Sequence, residues 1–129
     1  MNNDTIIADA SAILAALKNE PFSGFDPDRL IGGSIGAVNL CEVFTKLHSD
    51  GLTEEQAANA VAKLDLTVIA FDRHLAAIAA ELWLRTRRAG LSLGDRACLA
   101  LGGHLKCPVV TADRAWANLD LGIEVILIR

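Results

Sequence analysis

Four acidic residues, Asp9, Glu42, Asp95 and Asp113, share one local setting. Asp9, Glu42 and Asp113 sit just after an apolar, β-rich run and at the start of a helix-like pattern, and Asp95 stands where a short loop becomes a helix. Carboxylates gathered at one point without a counter-charge repel one another and raise at least one pKa. They suit a hard divalent cation such as Mg²⁺ or Mn²⁺, which prefers oxygen ligands and keeps several waters. Ions held there can position a phosphodiester, help generate a hydroxide nucleophile and stabilise charge on the attacking and leaving oxygens. A second reading stands beside this one for Asp95. Ser92 three residues earlier fits a capping box, in which serine and carboxylate each satisfy the other's backbone N–H.

The elements that must position these acids alternate along the chain. Thr5–Ala8 is a β-branched run ending at Asp9, which stands at the N-cap of a helix over Ala10–Leu17. Asp26-Pro27-Asp28-Arg29-Leu30 reads as a short helical turn with proline near its start. Ser34–Val38 is a second strand, after which Asn39 can cap a helix running to about Asp50, with Glu42 in its first turn. Thr53 opens another helix, whose first-turn acids Glu54 and Glu55 answer the helix dipole. Leu66–Phe71 is the third strand, and Asp72 caps a long helix with Leu75, Ile78, Ala79 and Leu82 as its apolar stripe. Asp72 is a fifth acid in such a position, and capping accounts for it fully. Gly90 closes that helix, Ser92 opens the one bearing Asp95, and Cys107-Pro108 ends it. Val109–Thr111 is the fourth strand, a short helix follows Asp113, and Ile123–Ile128 is the closing strand.

Strands alternating with helices predict an α/β domain with a mainly parallel central sheet covered on both faces. Ligands in such sheets bind beyond the carboxyl ends of the strands, where strand order reverses. Asp9, Glu42 and Asp113 fall at those ends, and Asp95 begins the helix feeding the fourth strand.

Composition bounds the alternatives. At 129 residues the chain is expected to form a single domain, residues 1–129. Hydrophobic residues make up 52% and mean hydropathy is +0.34, with much of the excess in helical alanines. No stretch approaches the ~20 apolar residues of a membrane span. Met1-Asn2-Asn3-Asp4 lacks the basic region of a signal peptide, so a cytoplasmic protein is expected, with no membrane partner. Cys41, Cys98 and Cys107 are odd in number and lack CxxC spacing, which argues for reduced, buried thiols. The net charge of −4 argues against binding nucleic acid by phosphate neutralisation alone, but cations at an acidic site reverse the local sign. His48, His74 and His104 lie far apart without HExxH spacing, and there is neither a GxSxG elbow nor a GxxxxGK[ST] loop.

The blocks Asp9–Leu14, Ala37–Val43, Leu91–Leu101 and Thr111–Trp116 closely resemble the PIN-domain family, and within it VapC-type toxins of bacterial toxin–antitoxin pairs. The resemblance spans nearly the whole chain. It implies a three-layer α/β/α sandwich and a Mg²⁺- or Mn²⁺-dependent endoribonuclease, with Asp9, Glu42, Asp95 and Asp113 around the metal. Asp9 and Asp95 match the best direct ligands, and Glu42 and Asp113 match ligands or holders of metal-bound water. Ser11 and Thr111 match hydroxyls that support the family's carboxylates, and Asn39 matches a similar position, with N-capping as its other reading. The resemblance further implies an RNA substrate, an inhibitory antitoxin and a homodimer. Arg85, Arg87 and Arg88 cluster near a helix C-terminus, where they suit the helix dipole or RNA. Arg96 and Arg114, each next to a site acid, could bind phosphate or pair with carboxylates. Trp116 is read as core or as a base-stacking residue, and Trp83 as core or interface.

Two further classes compete. A phosphoacceptor receiver module has comparable length and an acidic Mg²⁺ cluster, but it carries paired acids after the first strand and a lysine after the fifth. Here Asp9 stands alone and the chain closes on Arg129. The other is a PIN-like binding module that has lost activity, although all four acids are present.

Overall fold

The computed structural model describes residues 5–129. Five short strands, β1 (Ile7–Ala8), β2 (Ser34–Gly36), β3 (Thr67–Ile69), β4 (Val109–Thr111) and β5 (Val125–Leu127), form one parallel sheet in the order β3-β2-β1-β4-β5. A receiver module carries the order 2-1-3-4-5, so this topology excludes that class.

Alternation along β1 divides the interior. Ile6 and Ala8 face a core built with α1 (Ala10–Leu17), α2 (Ala37–Ser49) and α3 (Glu54–Ala62) through Ile13, Val43, Leu47 and Ala57. Ile7 faces the other way, into a core with α4 (Arg73–Thr86) and α5 (Leu93–Leu105) through Leu75, Ala79, Leu82, Leu99 and Leu101. The result is the expected three-layer α/β/α sandwich. Gly102 lets α5 lie close on β4, since a Cβ there would collide with Val109 Cγ1. No helix among the described residues is long and apolar enough to cross a membrane.

Several local expectations change. The strands are shorter than their apolar runs, because only the paired residues hold the ladder: β3 keeps Thr67–Ile69 of Leu66–Phe71, and β5 keeps Val125–Leu127 of Ile123–Ile128. Helix α2 begins at Ala37 behind an extended Gly36, so Asn39 lies inside the helix rather than at its cap, and Glu42 is beyond the first turn. Trp116 is fully buried, which excludes base stacking, whereas Trp83 stays 48% exposed outside the core with the Arg87 guanidinium over its ring. Cys98 and Cys107 are buried as expected, but Cys41 is exposed on α2; all three are free. His74 and His104, far apart in sequence, meet edge to face across α4 and α5 with ring centroids 4.8 Å apart.

Candidate active site

Strand order reverses between β1 and β4, and the candidate site lies at the carboxyl ends of these two strands. Asp9 follows β1 at the N-cap position of α1, yet its side chain makes no capping hydrogen bond. Its Oδ2 instead accepts from Ser11 Oγ at 2.7 Å and from Thr111 Oγ1, at the end of β4, at 2.9 Å. Both hydroxyls are themselves fixed: Ser11 Oγ accepts from Ala112 N and Thr111 Oγ1 accepts from Asp113 N. A carboxylate on one strand is thus oriented through the backbone of its neighbour. Thr111 is fully buried and Asp9 nearly so, and burial raises the Asp9 pKa above its ordinary value. The two hydroxyls oppose that rise, and the charge of Asp95 adds to it.

Glu42 reaches the same place from the second turn of α2. Its Oε1 accepts from Asn39 Nδ2 at 3.0 Å, and the same amide donates to Gly94 O at 3.0 Å, tying α2 to the first turn of α5. Both partners are acceptors, which fixes the orientation of the amide. Asn39 is fully buried, and its Oδ1 has no hydrogen-bond partner among the described residues. Glu42 is exposed as a residue, yet partial desolvation of its carboxyl raises its pKa first, with the charges of Asp9 and Asp95 adding to the rise and the Asn39 hydrogen bond opposing it.

Asp95 closes the capping box with Ser92: Ser92 Oγ accepts from Asp95 N at 3.1 Å, and Asp95 Oδ2 accepts from Ser92 N at 3.0 Å. Both readings of this residue hold together, because the box also fixes the carboxylate beside the other two acids. Beneath them, the thiol of buried Cys98 is raised well above its ordinary pKa by burial and then by Asp9, Asp95 and Glu42. The Asn39 bridge to Gly94 O and the seat of the Glu42 carboxylate on Gly94 place Glu42 beside the first turn that carries Asp95. Asp113 is not among the charges that raise Asp9, Glu42 or Cys98. It is exposed and caps the 3-10 turn Arg114–Asn118, its Oδ1 accepting from Ala115 N at 3.0 Å.

The donor set is that of a hard cation: carboxylate oxygens in mutual repulsion, which bound positive charge would relieve. Among the described residues no three carboxylate, histidine or cysteine side chains converge as a closed metal cage. Mg²⁺ does not require one, since it is held by one or two carboxylates with water and substrate phosphate completing its shell. The residues therefore fit such an ion.

The flanking arginines divide. Arg96 pairs with no carboxylate among the described residues; its Nη1 donates to Ala79 O at 2.9 Å and its Nε is buried, so it ties α5 to α4. Arg114, Arg85 and Arg88 are exposed and have no ion pair among the described residues. Sequence reasoning missed Gly94, on which the Glu42 carboxylate rests. A helix-weakening glycine immediately before a site acid was the available signal.

A doubly wound parallel sheet with an acidic cluster at its switch point defines the class of this protein. The PIN domain family profile matches residues 6–121, and the chain belongs to that family. Among solved structures, VapBC2 from Rickettsia felis bound to a promoter DNA fragment is similar with a TM-score of 0.77 at 15% identity, over 97% of this chain and 99% of that one. DNA-bound VapBC from Salmonella typhimurium is similar with a TM-score of 0.77 at 19% identity, over 97% and 98%. VapC20 from Mycobacterium tuberculosis, a sarcin-ricin loop cleaving toxin, is similar with a TM-score of 0.66 at 17% identity, over 89% and 96%. At these identities the likeness is one of fold. No curated protein matches the chain significantly by sequence.

Proposed function

We propose that the chain is a VapC-type toxin: a cytoplasmic Mg²⁺- or Mn²⁺-dependent endoribonuclease acting as one domain over residues 1–129. The observation that carries this reading is that Ser11 and Thr111 aim the buried Asp9 carboxylate at the end of β1, while the Glu42 carboxylate rests on Gly94, one residue before Asp95. Asp9 and Asp95 would hold the ion, with Glu42 as a further ligand or a holder of water. Asp113, which caps the turn after β4, would be a further ligand or a holder of metal-bound water. A bound divalent cation supplies positive charge to a phosphodiester oxygen and activates water for attack at neutral pH. The chain's own residues supply orientation: Ser11 and Thr111 aim Asp9, Asn39 aims Glu42, and the Ser92 amide aims Asp95. No serine, cysteine or histidine nucleophile is needed.

The similar toxin–antitoxin complexes support an inhibitory antitoxin partner, and a homodimer is proposed on the family resemblance alone. The test is cleavage of total cellular RNA by the purified, partner-free chain with Mg²⁺ or Mn²⁺, with EDTA, and with Asp95→Asn. Discrete fragments that require both metal and Asp95 support the reading, and their ends identify the target. Identical patterns from folded wild type and variant would replace it with a PIN-like binding module.

A further inference from the structure

An enzyme whose site is acidic, on a chain of net charge −4, needs cations elsewhere to hold a polyanion. The described residues show where uncommitted ones lie. Lys18, Lys46 and Arg129 are paired with Asp50 or Glu20. Arg85, Arg87 and Arg88 have no carboxylate within ion-pair distance among the described residues, and all three line one pocket of about 380 Å³. The second segment that lines it is Asn118 to Leu121, which includes one amide residue, Asn118, and one acid, Asp120.

Both walls extend directly from segments that carry site acids. The arginine wall is the end of α4 and the 3-10 turn Arg87–Ala89, which passes through Gly90, in left-handed conformation with φ 68°, into the Ser92–Asp95 box. The other wall begins where the turn capped by Asp113 ends. Arg87 is braced by Trp83, its guanidinium carbon 5.3 Å from the ring centroid. The dipole at the C-terminus of α4 favours these cations and disfavours anions. It accounts for arginines near the last turn, but not for three of them lining one cavity together with Asn118.

We propose that this pocket is a phosphate subsite, in which Arg85 and Arg88, with Asn118, grip a backbone phosphate of single-stranded RNA away from the scissile bond. Guanidinium groups match phosphate oxygens in a fork, and Asn118 adds a neutral donor. The subsite rests on the nuclease reading and adds to it the means by which an acidic enzyme retains RNA.

The test is fluorescence anisotropy with a labelled single-stranded oligoribonucleotide in Mg²⁺, on full-length protein carrying Asp95→Asn to prevent cleavage. Adding Arg85→Gln/Arg88→Gln is expected to weaken binding about tenfold or more at low salt. It should also flatten the plot of log affinity against log salt by about 0.7 for each phosphate left without its arginine. A charge-matched control, Lys18→Gln/Arg129→Gln, removes cations already committed to carboxylates and should change affinity at least several-fold less. Equal losses in the two double variants would show only a net-charge effect and overturn the subsite, as would unchanged binding in the arginine variant. Failure of the nuclease reading is seen separately, as the absence of metal-dependent RNA cleavage by the wild type. Circular dichroism of each variant verifies folding, and Arg85→Lys, which keeps charge without the fork, should restore only part of the affinity.

Discussion

The Glu42 carboxylate occupies the space that a side chain on Gly94 would take: a Cβ at Gly94 would lie 2.5 Å from the carboxyl carbon and from Oε1. Helix α2 can deliver its acid beside Asp95 only because α5 has no side chain one residue earlier. Gly94→Ala should therefore displace the carboxylate while leaving the hydrophobic cores untouched. Misplacement of a positioned group by about 1 Å can cost about 100-fold in rate, the loss expected in RNA cleavage. Shortening the acid makes room, so Glu42→Asp should recover part of the activity in the Gly94→Ala background while lowering it in the wild type. Additive losses in the double variant would contradict this steric account.

Asn39 spans two acceptors from within α2. Asn39→Ala leaves Gly94 O and Glu42 without their shared donor and opens a small gap at a fully buried position. A loss of about 1–3 kcal/mol in urea unfolding is expected, together with lower activity. Wild-type stability would show that the amide bridge contributes nothing.

Asp9 and Glu42 both have raised pKa values, primarily through burial. The folded protein thus holds these protons more tightly than the unfolded chain. In EDTA, the stability they contribute is fully present below the ordinary carboxyl values of 3.8 and 4.5 and is lost as pH rises through the elevated ones. Asp9→Asn removes one charge and still offers an oxygen to Ser11 and Thr111. Its melting temperature in EDTA should exceed that of wild type at pH 7, with the gap closing as pH falls toward 4. A variant equal to or below wild type at pH 7 would contradict the assignment of burial as the dominant cause.

The thiols report on the ground beneath the acids. Cys98 is fully buried under three carboxylates and Cys107 is nearly covered, whereas Cys41 faces solvent. An aromatic disulfide reagent should label one thiol per native chain and three in denaturant. Rapid labelling of Cys98 would mean that the acidic cluster opens in solution.

Much of this architecture is legible in the sequence because its grammar is local. An apolar β-rich run followed by an acid and a helix pattern locates Asp9, Glu42 and Asp113, and Ser92 three residues before Asp95 marks the capping box. Alternation with helices implies the parallel sheet. Asn39 reads as a cap because Gly36, whose extended backbone starts α2, carries no capping side chain to announce the true start. Burial of Asn39, the Gly94 seat and the Arg96 link to Ala79 depend on α2, α4 and α5 meeting, which no single-helix pattern encodes. The arginine pocket likewise joins segments distant in sequence. Periodicity also groups Asp113 with the other acids, but it does not report which carboxylates feel one another's charge.

That distinction sets the most direct test. Mn²⁺ binding, followed by titration calorimetry at pH 7 on wild type, Asp9→Asn, Asp95→Asn and Asp113→Asn, asks whether Asp9 and Asp95 share an ion. Loss of about tenfold or more in affinity with either Asp9→Asn or Asp95→Asn, and a much smaller effect from Asp113→Asn, is the predicted result. Undiminished Mn²⁺ binding by folded Asp9→Asn and Asp95→Asn would contradict the shared site at the β1–β4 switch point.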